Sequence, residues 1–86
     1  MNIDEVKRTI RQGSLAAEEA KKILVTVGTE AAEAEQLARL TVHDSQDDDA
    51  QAGLKILEDF GREVDLTVRR IDAAVEHADA YLATLG

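Results

Sequence analysis

The strongest constraint on this chain is a heptad spacing of small and apolar residues that runs through nearly all of its 86 residues. Such residues recur at alternating steps of three and four, first over residues 3–38 and then over residues 50–85. Sustained 3,4 spacing predicts long α-helices packed along a common seam. The first run is Ile3, Val6, Ile10, Gly13, Ala17, Ala20, Leu24, Val27, Ala31, Ala34 and Ala38. The second is Ala50, Leu54, Leu57, Gly61, Val64, Val68, Ile71, Val75, Ala78, Leu82 and Leu85.

The spacing fails over residues 42–49, where a turn is expected. Asp44 and Ser45 favour irregular backbone, and the three aspartates of residues 47–49 can cap the helix that follows. They also place negative charge at the positive end of its dipole. Asn2 is the corresponding cap of the first helix.

We therefore predict an all-α fold of two long antiparallel helices, a helical hairpin that dimerises into a four-helix bundle. A single domain spans residues 1–86, with helix 1 at about 3–42, the turn at about 43–48 and helix 2 at about 49–85. Folding the chain at the turn sets Ala31 against Gly61.

One segment of the first run, Val25 to Glu30, permits two interpretations. A helix-interior glycine such as Gly28 costs about 1 kcal/mol relative to alanine, and Thr29 is able to cap a new helix. We expect one continuous helix with a local weakness. A break at this point, giving three helices, is the alternative.

Outside the seam, one side of the hairpin is apolar, and we call it the apolar flank. It comprises Ala16, Ile23, Leu37, Leu40, Ile56, Phe60, Leu66, Ala74 and Tyr81. The opposite side of helix 2, the polar flank, comprises Gln51, Lys55, Glu58, Arg62, Asp65, Arg69, Asp72, Glu76 and Asp79. Two helices cannot bury the apolar flank by themselves, and an exposed stripe of this kind predicts an interface.

The predicted partner interface consists of Ile23, Leu37, Leu40, Ile56, Phe60, Leu66 and Tyr81. The anchors are Phe60 and Tyr81, the only aromatic residues. The partner is either a second copy, as expected, or another helical protein; a monomer that tolerates the stripe is the third possibility. Leu15 and Val25 project elsewhere as isolated surface residues.

The net charge of −8 argues against nucleic acid and anionic membranes as partners, because both are bound by Lys/Arg-rich surfaces. No apolar run is long enough for a membrane span, and no secretory leader opens the chain. We expect a cytoplasmic protein or, alternatively, one exported without a cleavable signal. The chain has no cysteine, which excludes disulfides and thiolate metal sites.

The aspartate-rich turn partly matches a calcium-binding loop, with Asp47, Asp49 and Gln51 at its first, third and fifth positions. The required glycine is replaced by Ala52, and the heptad register makes residues 50–58 helical. Neither the two histidines, residues 43 and 77, nor any other residues form a catalytic or metal-binding pattern. We therefore expect no metal, no cofactor, no small-molecule substrate and no enzymatic activity.

In size, acidity and helix–turn–helix design the chain resembles the WXG-type proteins of type VII (ESX) secretion. The resemblance implies dimers of hairpins and a link to bacterial export. The chain has no tryptophan for the Trp-x-Gly turn motif of that family, and Leu85 stands four residues after Tyr81 where the family has an acidic residue.

The functional prediction is a non-enzymatic interaction module that self-associates or binds a partner through the apolar flank. A secretion-linked adaptor or chaperone of a bacterial toxin is the first alternative. A metal-responsive regulator that uses the aspartate-rich turn is the second.

Overall fold

The computed structural model describes the whole chain, Met1–Gly86, as two helices joined by a short turn. Helix α1 spans Ile3–Val42 and helix α2 spans Asp48–Leu85. They pack antiparallel along their full length, in a hairpin that measures 62 × 17 × 15 Å. The predicted all-α fold of two long antiparallel helices is confirmed.

Both helix starts carry the predicted side-chain caps. The Glu5 amide donates to Asn2 Oδ1 at 2.8 Å, and the Ala50 amide donates to Asp47 Oδ1 at 3.0 Å. Each cap satisfies an amide that has no carbonyl partner within its helix. The turn itself is held by Ser45, whose amide donates to the Val42 carbonyl at 2.9 Å.

The seam of α2 is the predicted one, since every residue of the second heptad run is buried or half-buried. Ile3, the first residue of the α1 run, is exposed. Farther along α1, Gly13, Ala20 and Ala34 are also exposed although the first run places them in the seam. Their C-terminal neighbours face α2 instead, namely Ser14, Lys21 and Glu35. Glycine and alanine gain little from burial, and this rotation of α1 lets Lys21 and Arg39 pair with Asp72 and Glu58 of α2 on the polar side.

Helix α1 continues without a break through the glycine of the Val25–Glu30 segment, as predicted. The Thr29 hydroxyl donates to the Val25 carbonyl at 3.1 Å within the helix, so it does not cap a new one. A Cβ on Gly28 would lie 3.3 Å from Val64 Cγ1. The absence of a side chain at Gly28 therefore lets Val64 pack close to the backbone of α1.

The variants Gly28→Ala and Gly61→Ala test this packing. A Cβ on Gly61 meets nothing within 4 Å, so Gly61→Ala gains helix propensity and stabilises the hairpin by about 1 kcal/mol. In Gly28→Ala the gain in helix propensity is offset by the close contact that the new Cβ would make with Val64. Thermal unfolding followed by circular dichroism should show a clearly higher Tm for Gly61→Ala alone. Equal rises in both variants would contradict the close approach at Gly28.

The hairpin has almost no interior. Ala31 and Val64 are its only buried residues, each 8% exposed. The Cα radius of gyration is 19.2 Å, whereas a compact domain of this length has about 12 Å. Most residues of the seam are only half-covered, because a single facing helix shields one side of each.

Candidate partner interface

The apolar flank lies open to solvent along the hairpin. The seven residues of the predicted interface range in exposure from 36% for Leu66 to 68% for Ile56. Phe60 is 46% exposed and Tyr81 is 53% exposed, so both aromatic side chains are available to a partner. The structure thus brings the predicted interface residues onto an accessible surface without showing what they contact.

A second 3,4 spacing runs along this flank beside the seam. On α1 it passes through Gly13, Ala16, Ala20, Ile23, Val27, Glu30, Ala34, Leu37 and Thr41. On α2 it passes through Gly53, Ile56, Phe60, Glu63, Thr67, Arg70, Ala74, His77 and Tyr81. A helix with two heptad seams is suited to two neighbouring helices at once, as in a four-helix bundle. Leu40 and Leu66 fall outside the spacing, at the outer edge of the flank.

This second seam was not resolved from the sequence alone. Gly13, Ala20 and Ala34 belong to it, although the first heptad run assigns them to the contact between the two helices. Small residues fit either seam, so the spacing alone did not separate the two. The sequence evidence for a second seam was the presence of the larger residues Ile23 and Leu37 at positions of the second 3,4 spacing.

A shallow groove crosses the flank in the half of the hairpin away from the turn. Ile10, Gly13, Ser14 and Ala17 of α1 form one wall, and Ala74, Val75 and Ala78 of α2 form the other. Gly13 and the three alanines keep the groove open, because none of these four residues carries a side chain larger than a methyl group. Because Gly13 and Ala74 belong to the second seam, the groove is placed to receive an apolar side chain of a partner.

The polar flank is paired within the hairpin. Lys21 Nζ lies 2.7 Å from Asp72 Oδ1, and Arg39 bridges Glu35 and Glu58 at 2.8 Å each. The hydrogen bond with Asp72, and then its charge, raise the pKa of Lys21 above its ordinary value. These pairs tie the two helices together on the polar side, in contrast to the unpaired apolar flank.

Three residues of the aspartate-rich turn, His43, Asp44 and Asp47, have side-chain partners within the hairpin. Asp47 caps α2, and His43 Nε2 lies 3.0 Å from Asp44 Oδ2 while its Nδ1 donates to the Leu40 carbonyl at 3.1 Å. No three His, Asp or Glu side chains are grouped so that they could hold a metal ion. His77 is exposed on α2. The shown role of the turn is to cap α2 through Asp47.

The exposed area of the hairpin is large for its mass. It has 6413 Å² of accessible surface at 9.3 kDa, whereas a compact monomer of that mass has about 5,000 Å². The excess is about 1,400 Å², and a stable protein–protein interface covers about 800 Å² on each partner. The excess follows from the elongated shape and is larger than the area that one such interface covers on a partner.

The charge of the hairpin is distributed unevenly along its axis. The half next to the turn, residues 23–69, has eleven acidic and four basic side chains, a net of −7. The other half, residues 1–22 and 70–86, has seven acidic and six basic side chains, a net of −1. We call these the turn half and the open half; one is strongly negative and the other nearly neutral.

No family model, curated protein or solved structure matches the chain. The resemblance to WXG-type secretion proteins stays a prediction, as does the link to bacterial export. Neither helix contains a segment that is both long and apolar enough to cross a membrane.

Proposed function

We propose that this protein is a non-enzymatic interaction module, a helical hairpin that forms a bundle by burying its apolar flank against other helices. One observation carries the proposal: only Ala31 and Val64 are buried, while the large apolar residues of the flank lie exposed. Burial of apolar surface contributes about 25 cal/mol per Å², so this flank holds the largest source of association free energy on the molecule.

The pairing of the polar flank supports the choice of surface. Charged side chains that already have partners, such as Lys21 with Asp72, gain little by meeting another protein. The apolar flank has no such partners, and its second heptad seam presents side chains at the spacing that helices use to interlock. We infer that the partner offers a helical, apolar surface.

Phe60→Asp is the test of this interface. Phe60 is an exposed aromatic residue of the flank, and the charge introduced by the substitution would have to be buried on association. We expect the dissociation constant of the assembled protein to rise by at least about 30-fold, the effect of losing a hot-spot residue of 2 kcal/mol. Light scattering or sedimentation over a concentration series measures the mass.

Leu15→Asp is the matched control, because Leu15 is also exposed but lies outside the apolar flank. The mass of the Leu15→Asp protein should equal that of the wild type at each concentration. A hydrophobic fluorescent dye should bind any unassembled wild-type chain at the flank and bind the Phe60→Asp chain less. An assembled Phe60→Asp protein with unchanged affinity, or a monomeric wild type that binds no dye, would refute the proposal.

A further inference from the structure

We propose that the occupant of the apolar flank is a second copy of this chain lying antiparallel to the first, with Phe60 of each copy docked in the groove of the other. The groove is the one between Gly13 and Ala17 of α1 and Ala74 and Ala78 of α2. This inference rests on the proposed function and specifies its partner and geometry.

The surface area supports a second copy as the occupant. The excess of about 1,400 Å² on each chain exceeds the roughly 800 Å² that each partner of a stable complex covers. Both copies carry the same excess, so one symmetric contact removes it from each. The resulting bundle has four helices, and each helix uses its two heptad seams.

The charge distribution selects the orientation. If the two turns lay at the same end, two halves of net −7 would face each other. In the antiparallel arrangement each turn half lies beside an open half of net −1. Halves of like charge repel each other across an interface, so the antiparallel arrangement is favoured.

A specific pair of acids supports the same orientation. The contact of Gly28 with Val64 and the ion pair of Lys21 with Asp72 fix which residues of α1 and α2 lie at the same level. In that register Glu30 and Glu63 are level on the second seam. A parallel dimer stacks α1 of one copy on α2 of the other, which would set Glu30 directly against the partner's Glu63. The antiparallel dimer separates them.

The positions of Phe60 and the groove agree with the antiparallel arrangement. At 1.5 Å per residue, Phe60 lies about 13 Å from mid-length on the turn side. The groove lies at about the same distance on the open side, between about 9 and 16 Å. A two-fold axis across the middle of the hairpin therefore brings each Phe60 over the groove of the other copy. The small groove residues leave room for an aromatic ring there.

Cysteine cross-linking tests the orientation, because the natural chain has no cysteine. Ile23 lies within about 2 Å of mid-length, so Ile23→Cys should form a disulfide-linked dimer in the antiparallel arrangement. Leu37 holds the same heptad position about 20 Å nearer the turn, and Leu37→Cys should stay unlinked. A mixture of Leu37→Cys and Ile56→Cys chains should also stay unlinked, since those residues meet only in a parallel dimer.

Filling the groove tests the docking of Phe60. Ala74→Trp should raise the dissociation constant of the dimer at least about tenfold, a change of 1.4 kcal/mol. Ala80→Trp is the matched control, because Ala80 is an exposed alanine outside both seams. Circular dichroism checks that both variants keep their helices.

Each result bears on one part of the proposal. A linked mixture of Leu37→Cys and Ile56→Cys chains, or a dimer in which Ile23→Cys does not link, would overturn the antiparallel arrangement. An unchanged dimer in Ala74→Trp would overturn the docking of Phe60. A wild type of monomer mass whose flank still binds the dye would overturn the second copy as occupant, while the proposed function would stand.

Discussion

Replacing the buried Val64 by aspartate is expected to unfold most of the hairpin. Val64 is 8% exposed and packs against α1 at Gly28. The change removes apolar burial of about 1.5–3 kcal/mol and forces a carboxylate into a site with no partner, at a further cost of several kcal/mol. The sum is a large part of the 5–15 kcal/mol that stabilises a typical small protein. Thermal or urea unfolding followed by circular dichroism measures the loss.

The matched control for this change is Val25→Asp. Val25 is 50% exposed on the same pair of helices and lies outside the apolar flank. Its free energy of unfolding should stay within about 0.5 kcal/mol of the wild type, as for most surface substitutions. Similar losses of unfolding free energy in the two variants would mean that the packing around Val64 does not make a special contribution to stability.

A proline in the middle of α2 is expected to have the second large effect. Ala73 is exposed, so Ala73→Pro acts through the backbone by removing one helical hydrogen bond and clashing with the preceding turn. The cost is about 3 kcal/mol or more, and Tm should fall by at least about 10 °C. Assembly should fail with it, because the apolar flank extends along α2 on both sides of this residue.

Asp48→Pro is the control that separates the residue type from its position. Asp48 is the first residue of α2, where a proline removes no helical hydrogen bond. The preceding Asp47 has φ −69° and ψ 128°, the extended conformation that a following proline requires. Asp48→Pro should therefore unfold close to the wild-type temperature. A fall as large as that of Ala73→Pro would show that α2 does not begin at this residue.

The architecture was predictable because its determinants are local or periodic. The 3,4 spacing indicated two long helices, and its interruption marked the turn. Asn2 and Asp47 identified the helix starts through cap chemistry that depends on only a few neighbouring residues. The full seam of α2 followed from spacing alone, since its large aliphatic residues leave one favourable face.

The seam of α1 was predicted only in part, and the reason is the size of its residues. Ala17, Leu24 and Ala31 lie in the seam as expected. Between them, glycine and alanine occupy positions on both seams, and their burial differs too little to fix the rotation of the helix. The ion pair of Lys21 with Asp72 spans both helices, and its geometry exists only once the chain has folded.

By itself the sequence determined the fold class, the two helix starts and the identity of the apolar flank, because periodicity and capping act within one helix. Only the tertiary structure decided the rotation of α1, the close contact at Gly28 and the groove beside Ala74. It also placed the charges of both helices side by side, which made one half of the hairpin strongly negative. These features depend on which residues of α1 lie beside which residues of α2. The spacing of apolar residues within each helix does not determine that alignment.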